Sequence, residues 1–347
     1  MNKNPYTLVF GKEPAQYIHR AVQMNQILDS FLDEMPSQQI FVITGVRGAG
    51  KTVLMTEVSK KIASHMDWVV VELNPERDML NSLAAKLSSD HTLAGIFQSA
   101  KINLSFFGFG VEIGGVPPIT DIEMALTRML MSLKKSGKKV LITVDEAVNT
   151  RNMRAFVSAF QILIRQDLPV FLLMTGLYEN VHTLQNEKSL TFLYRAPKIE
   201  LKPLNIGIIA DNYQINFKID REKALDMAKM TKGYAFAFQA LGYFCWEQGV
   251  LSDAAVTDYK LYLEEYVYEK VWSELSANDK KICYGIAKTE SGKISDIRSL
   301  LKLETNQFNP YRKRLIRKGL IQGDTYGYVS FALPLFESFV LENTYDK

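Results

Sequence analysis

Residues 45–52 of this 347-residue chain read Gly-Val-Arg-Gly-Ala-Gly-Lys-Thr. Glycines at this spacing, followed by a lysine and a hydroxyl, form a pattern that cradles a phosphate chain. Gly45, Gly48 and Gly50 let the backbone curl around an anion with no Cβ in the way. The loop of Gly45, Val46, Arg47, Gly48, Ala49 and Gly50 is expected to turn its N–H groups, with a helix N-terminus, toward the phosphates. Lys51 would add a point charge on the β- and γ-phosphates, and Thr52 a hydroxyl ligand for Mg2+. Val53, next in the chain, is expected beside the same nucleotide.

Binding alone does not hydrolyse, and a second group of residues has the types that hydrolysis needs. Asp145-Glu146 directly follows the apolar run Val140-Leu141-Ile142-Thr143-Val144. A carboxylate there can hold Mg2+ through its water shell, which is the expected role of Asp145. Glu146 would orient and polarise the attacking water, a contribution of roughly 10²–10⁴ in rate. Thr175 closes another apolar run, 170–174. If that strand lies between the first and third, its hydroxyl is expected beside the γ-phosphate. The chemistry these types imply is ATP binding and hydrolysis with Mg2+.

Such residues need a parallel sheet to position them. The run 39–44 before the loop is short, apolar and rich in β-branched residues, as a buried parallel strand should be. Val53, Leu54, Val58, Ile62 and Met66 recur at helical spacing behind it. Further strands are expected at 68–73, 140–144, 170–174 and 198–201, with helices between them, including 121–136 and 151–165. Repeated strand–helix units predict an α/β fold, a P-loop NTPase parallel sheet with helices on both faces. Segment 102–118 interrupts the rhythm with period-two stretches and glycines, and reads as a small hairpin or loop projecting before the third strand, either a passive surface loop or one whose Phe106, Phe107 and Phe109 make a partner contact.

From about Leu204 the pattern is helical, clearest over 220–231, 234–248 and 252–275. A further change near Ala277 introduces three short helices, 277–288, 294–302 and 306–319, then an alternating stretch, 321–332. Helix, helix–turn–helix and hairpin predict a winged helix. Its third helix opens with Asn306 and Gln307 and carries Lys313, Arg314 and Arg317 away from Phe308 and Leu315. Amides and cations on such a helix suit the edges and phosphates of double-stranded DNA. A solvated basic face on a protein-binding module is the other reading. The expected domains are 1–203, an ATPase core; 204–275, an α-helical lid; and 276–347, the winged-helix domain.

Bulk properties fit a globular protein: 47% hydrophobic and 23% charged residues, with a net charge of +3. That charge is too small to argue for nucleic acid by itself. Two cysteines and four scattered histidines make no disulfide framework and no zinc spacing. No apolar stretch reaches membrane-spanning length and the first residues hold no apolar signal core, so no membrane partner and a cytoplasmic location are expected.

Phosphate loop, Asp-Glu pair, polar strand end and helical segment together resemble the AAA+ and STAND ATPases over nearly the whole chain. Within these, the chain looks most like the archaeal-type ATPases and the related origin-recognition ATPases, which join the same core to a winged helix. The resemblance implies that Arg195, in Arg-Ala-Pro-Lys-Ile-Glu-Leu-Lys-Pro-Leu, reaches the γ-phosphate of a neighbouring subunit in a homo-oligomer. It implies adenine contact near Tyr17-Ile18-His19-Arg20, through Ile18 and backbone, although the usual glycine before the arginine is missing. The family's lid offers the nucleotide an arginine or a Gly-x-Pro turn; this chain has Gly233-Tyr234-Ala235 instead. The implied function is a Mg2+-dependent ATPase whose ATP or ADP state controls assembly and DNA binding. A nucleotide-gated scaffold that holds a protein partner is the alternative, and a metabolic kinase would leave the C-terminal parts without a purpose.

Overall fold

The computed structural model describes residues 3–9, 14–109 and 114–344. The chain forms two compact units. One comprises Arg20–Thr44 and Lys51–Glu200; the other comprises Met1–His19, Gly45–Gly50 and Leu201–Lys347.

The first unit is α/β. Its strands are β1 (Ile40–Thr44), β2 (Trp68–Leu73), β3 (Lys139–Val144), β4 (Val170–Gly176) and β5 (Lys198–Glu200). They lie in the order β2-β3-β4-β1-β5, all parallel. The helices between them are α1 (Ala21–Leu32), α2 (Lys51–Ala63), α3 (Met79–Ser89), α4 (Ala94–Ser99), α5 (Ile122–Lys135), α6 (Arg151–Arg165) and α7 (Tyr178–Gln185). Strand residues alternate between two apolar layers. Ile40, Val42, Val140, Ile142, Leu172 and Met174 share a core with α3, α5 and α6. Phe41 and Phe171 face the other way, packing edge-on against Phe31 of α1 at 5.4 and 5.2 Å. Asp78, Asp121 and Thr150 start α3, α5 and α6 by accepting backbone N–H bonds on their side chains.

Of the hairpin or loop expected at 102–118, the described residues form a loop. Residues 105–107 make one 3₁₀ turn, and Asn103, buried, donates its amide to the Val116 carbonyl at 2.7 Å. Residues 110–113 lie outside the described residues. Phe107 and Phe109 stack at 5.7 Å and pack against the sheet's core, so Phe106 alone of the three is well exposed. Ile102, Asn103 and Leu104 are buried in succession, so burial here does not follow the alternation.

The second unit is helical. It contains α8 (Ile206–Phe217), α9 (Arg221–Met230), α10 (Ala235–Gln248) and α11 (Asp253–Leu263). The segment expected as one helix over 252–275 changes at Glu264–Tyr268 to π-helix before α12 (Glu269–Ser273). There follow α13 (Ala277–Lys288), α14 (Ile294–Leu301), α15 (Thr305–Arg317), the antiparallel strands β6 (Ile321–Gln322) and β7 (Ser330–Phe331), and α16 (Phe336–Glu342). One continuous core runs from α8 through α16. The segment around Tyr6 belongs to it as well, although the sequence assigns residues 1–203 to the ATPase core. Tyr6 is buried, stacks on Phe217 at 5.8 Å and donates to Asn212 at 2.8 Å. A Cβ on Gly242 would lie 2.6 Å from the Tyr6 ring, so α10 can receive this tyrosine because it has a glycine there.

Candidate functional site

Strand register brings the acidic pair together in the α/β unit. Ile43 pairs with Thr175 and Val144 with Met174, so the C-terminal ends of β1, β3 and β4 are level. Asp145 leaves β3 at that edge. Its Oδ2 accepts the Thr52 hydroxyl, from the first turn of α2, at 2.8 Å. Its Oδ1 accepts the Thr175 hydroxyl. Thr175 is fully buried in β4, and its oxygen in turn accepts the Glu146 N–H at 3.2 Å. The next N–H, of Ala147, bonds the Thr175 carbonyl at 2.7 Å.

These bonds hold Glu146 at φ 53°, in the left-handed region. A non-glycine residue there costs of order 1–3 kcal/mol and persists because its neighbours determine it. The Glu146 side chain is exposed at the sheet edge. Sequence reasoning placed the Thr175 hydroxyl beside a phosphate; the structure places it on the acidic pair, where it orients Asp145 and the Glu146 backbone. Among the described residues no cluster of three or more His, Cys, Asp and Glu could hold a metal ion. The donors at this edge are one hydroxyl and one carboxylate. That set suits Mg2+, which keeps several waters and takes further oxygens from phosphates.

The phosphate loop runs between β1 and α2. Val46 to Ala49 form a turn closed by the Ala49 N–H on the Val46 carbonyl at 3.2 Å, with Gly48 at φ 74° and Gly50 at φ 89°. Lys51 and Thr52 open α2, where first-turn N–H groups lack intrahelical partners. Gly48 has a second reason to be glycine: an added Cβ would lie 2.3 Å from the Tyr234 hydroxyl and 2.9 Å from Phe236 Cβ. Arg47 faces Glu274 at 3.9 Å, and a Cβ on Gly319 would meet Val46 at 2.1 Å. The loop therefore touches both the α10 turn and the segments after α12 and α15.

Residues 17–171 match a family model described as an ATPase domain predominantly from Archaea. This region carries an archaeal-type P-loop ATPase domain. Residues 265–340 match a second family model, described as a domain of unknown function. No curated protein matches the chain. Among solved structures it is similar to a Walker-type ATPase of Pyrococcus abyssi, with 14% identity and a TM-score of 0.67, covering 94% of this chain and 96% of that one. It is also similar to the ORC2 protein of Aeropyrum pernix, in ADPNP–ADP complexes, with 14% identity and a TM-score of 0.62 over 96% and 95%. At such identity the likeness is one of fold: a P-loop ATPase sheet followed by a helical C-terminal region.

Other residues singled out from the sequence fall as follows. Arg195 is exposed at the end of a 3₁₀ segment, Lys188–Arg195, just before β5. Ile18 is half-buried against the core of the helical unit. Val53 is half-buried in the first turn of α2. On α15, Asn306, Lys313 and Arg317 are exposed, with Pro310 between them. Spacings of three and four residues align these positions on one face, opposite buried Phe308 and Leu315. Gln307 is exposed, and its side-chain oxygen accepts the Glu304 N–H at 2.9 Å, forming the start of the helix.

Arg314 departs from the expected DNA-facing set. Its guanidinium turns into the domain, pairing with buried Asp279 at 2.6 Å and Ser276 at 2.9 Å, and lying over the Tyr311 ring. The same Asp279 closes the capping box of α13 with Ser276. Arg314 is part-exposed and Asp279 keeps its Ser276 bonds, so losing the guanidinium leaves a buried carboxylate short of one charged partner, at about 1–3 kcal/mol. Arg314→Ala should accordingly lower stability by about 2 kcal/mol, whereas exposed Lys313→Ala should stay within about 0.5 kcal/mol of wild type. Urea denaturation followed by circular dichroism compares the two; equal midpoints would deny Arg314 its structural role.

The residues that sequence reasoning missed are Tyr234 and Phe236. The only signal was negative: a tyrosine and no proline in the turn that the resemblance made interesting.

Proposed function

We propose that this chain is a Mg2+-dependent ATPase whose nucleotide state acts on a C-terminal winged helix that binds double-stranded DNA. The observation that carries the enzymatic reading is the bond from Thr52, the loop's terminal hydroxyl, to Asp145 at the end of β3. It joins the phosphate motif to an acidic pair whose backbone is held under strain. Bound there, Mg2+ would neutralise charge on the phosphates, with Thr52 and Asp145 as its protein oxygens. Loop N–H groups and Lys51 hold the phosphate chain. Glu146 orients a water for attack on the γ-phosphorus and accepts its proton, while Thr175 fixes the acidic pair from below. Arg195, exposed before β5, would act on a neighbouring subunit's nucleotide in a homo-oligomer, an effect worth about 10³–10⁵ for such arginines.

For the C-terminal region, α13 to α15 with the β6–β7 hairpin have the order of a winged helix. An antiparallel bridge between Lys293 and Tyr328 ties the start of α14 to the hairpin, as a short third strand would. The face of Asn306, Lys313 and Arg317 suits DNA, with Gln307 beside it, and Tyr326, fully exposed at the hairpin tip, could reach a backbone. Contact of Val46 with Gly319 gives nucleotide state a physical route to this region. The protein-partner reading keeps support from one observation: Arg298 and Arg314 are already paired with Glu304 and Asp279.

A salt series separates the two. Lys313→Ala combined with Arg317→Ala should weaken duplex binding by the full-length protein and flatten the log–log salt dependence by about 0.9 per lost phosphate contact. Wild-type protein that fails to bind duplex DNA at low salt, with either ATP or ADP present, would favour the protein partner.

A further inference from the structure

The phosphate loop is fastened by its carbonyl groups. The Tyr234 hydroxyl donates to the Arg47 carbonyl at 2.7 Å. The Phe236 backbone N–H donates to the Gly48 carbonyl at 3.1 Å. Phe236 is the second residue of α10, so its N–H is one of the first-turn donors with no partner inside the helix. Tyr234, at the N-cap, makes no side-chain cap bond to its own helix. The loop carbonyl caps α10 instead.

The turn that presents these donors is itself pinned. Gly233 sits at φ 74°, and its carbonyl accepts the Leu204 N–H at 2.7 Å. A Cβ on Gly233 would lie 2.5 Å from the Leu204 carbonyl oxygen. Burial raises the Tyr234 phenol well above its ordinary range, so it stays a neutral donor at any physiological pH.

A trans peptide points its C=O and N–H in opposite directions. Holding the Arg47 and Gly48 carbonyls toward the α10 turn therefore directs the Gly48 N–H away from it and turns the Ala49 N–H back onto the Val46 carbonyl, at 3.2 Å. The Gly48 N–H is among the donors a phosphate would need, and the Ala49 bond fixes the turn that presents it.

We infer that Tyr234 is a positioning residue for the phosphate-binding loop: its hydroxyl, together with the Phe236 N–H, sets the two peptide units around Gly48 before any phosphate arrives. This rests on the nucleotide reading of the loop. Preorganisation of this kind raises affinity by lowering the ordering cost of binding.

The test is Tyr234→Phe in the full-length chain. Loss of one hydrogen bond to the loop should raise the dissociation constants of ATP and ADP alike, by roughly 3- to 10-fold. In nucleotide-free protein, amide exchange at Ala49 and Phe236, whose N–H groups are bonded to the Val46 and Gly48 carbonyls, should accelerate, while the rest of the helical unit keeps its wild-type protection. A merely structural role would spread the change across α8 to α11. Replacing Tyr234 by 4-aminophenylalanine, which restores a neutral donor, should recover both readouts, and recovery also excludes a folding defect. Unchanged affinity and unchanged exchange in Tyr234→Phe would overturn the inference. Exchange decides it even if wild-type protein binds no nucleotide, an outcome that would defeat the ATPase reading separately.

Discussion

Lys51→Ala should weaken ATP binding by roughly 10- to 100-fold. Lys51 opens α2 immediately after the loop. Its ammonium is the charge expected on the β- and γ-phosphates, while Arg47 is drawn toward Glu274. A charge-assisted contact of this kind is worth about 1.5–3 kcal/mol, and each 1.4 kcal/mol is tenfold in affinity. Isothermal titration of folded Lys51→Ala protein with Mg2+-ATP measures it. Retained wild-type affinity would remove the loop from the nucleotide site.

Glu146→Gln should separate binding from turnover. The amide is isosteric, so the left-handed backbone at 146 and its bonds to Thr175 survive. An amide accepts no proton and orients water poorly. Turnover should fall by roughly 10²–10⁴, with ATP affinity within a few-fold of wild type. Phosphate release under saturating ATP is the readout. Wild-type turnover in this variant would take Glu146 out of the chemistry and leave Asp145 to be tested as the water-orienting group.

Much of this fold is legible in the sequence because its signals are local. Apolar runs of five or six residues marked the strands, and the loop motif and Asp145-Glu146 each follow a strand directly. The strand order that puts β4 between β1 and β3 was the condition set for placing Thr175 beside the γ-phosphate, and in the structure its hydroxyl bonds Asp145. What escaped the sequence depends on partners far away along the chain. Nothing near Arg314 says that a buried carboxylate at Asp279 claims it. Nothing near Tyr6 says that Gly242 leaves room for its ring. The loop glycines were explained by anion binding alone, while Gly48 also admits Tyr234 and Phe236 from another element. The 102–118 segment shows the converse: a period-two pattern in the sequence came with Ile102, Asn103 and Leu104 buried in succession in a coil.

The central claim is that residues 45–52 with Asp145 form a Mg2+-dependent ATP site. Equilibrium titration of the wild-type full-length protein with a fluorescent ATP analogue, with and without Mg2+, tests it most directly. The account predicts saturable binding of one nucleotide per chain, tighter with Mg2+ and displaced by both ATP and ADP. Absence of saturable binding up to millimolar nucleotide, or binding equally retained by Lys51→Ala, would contradict it.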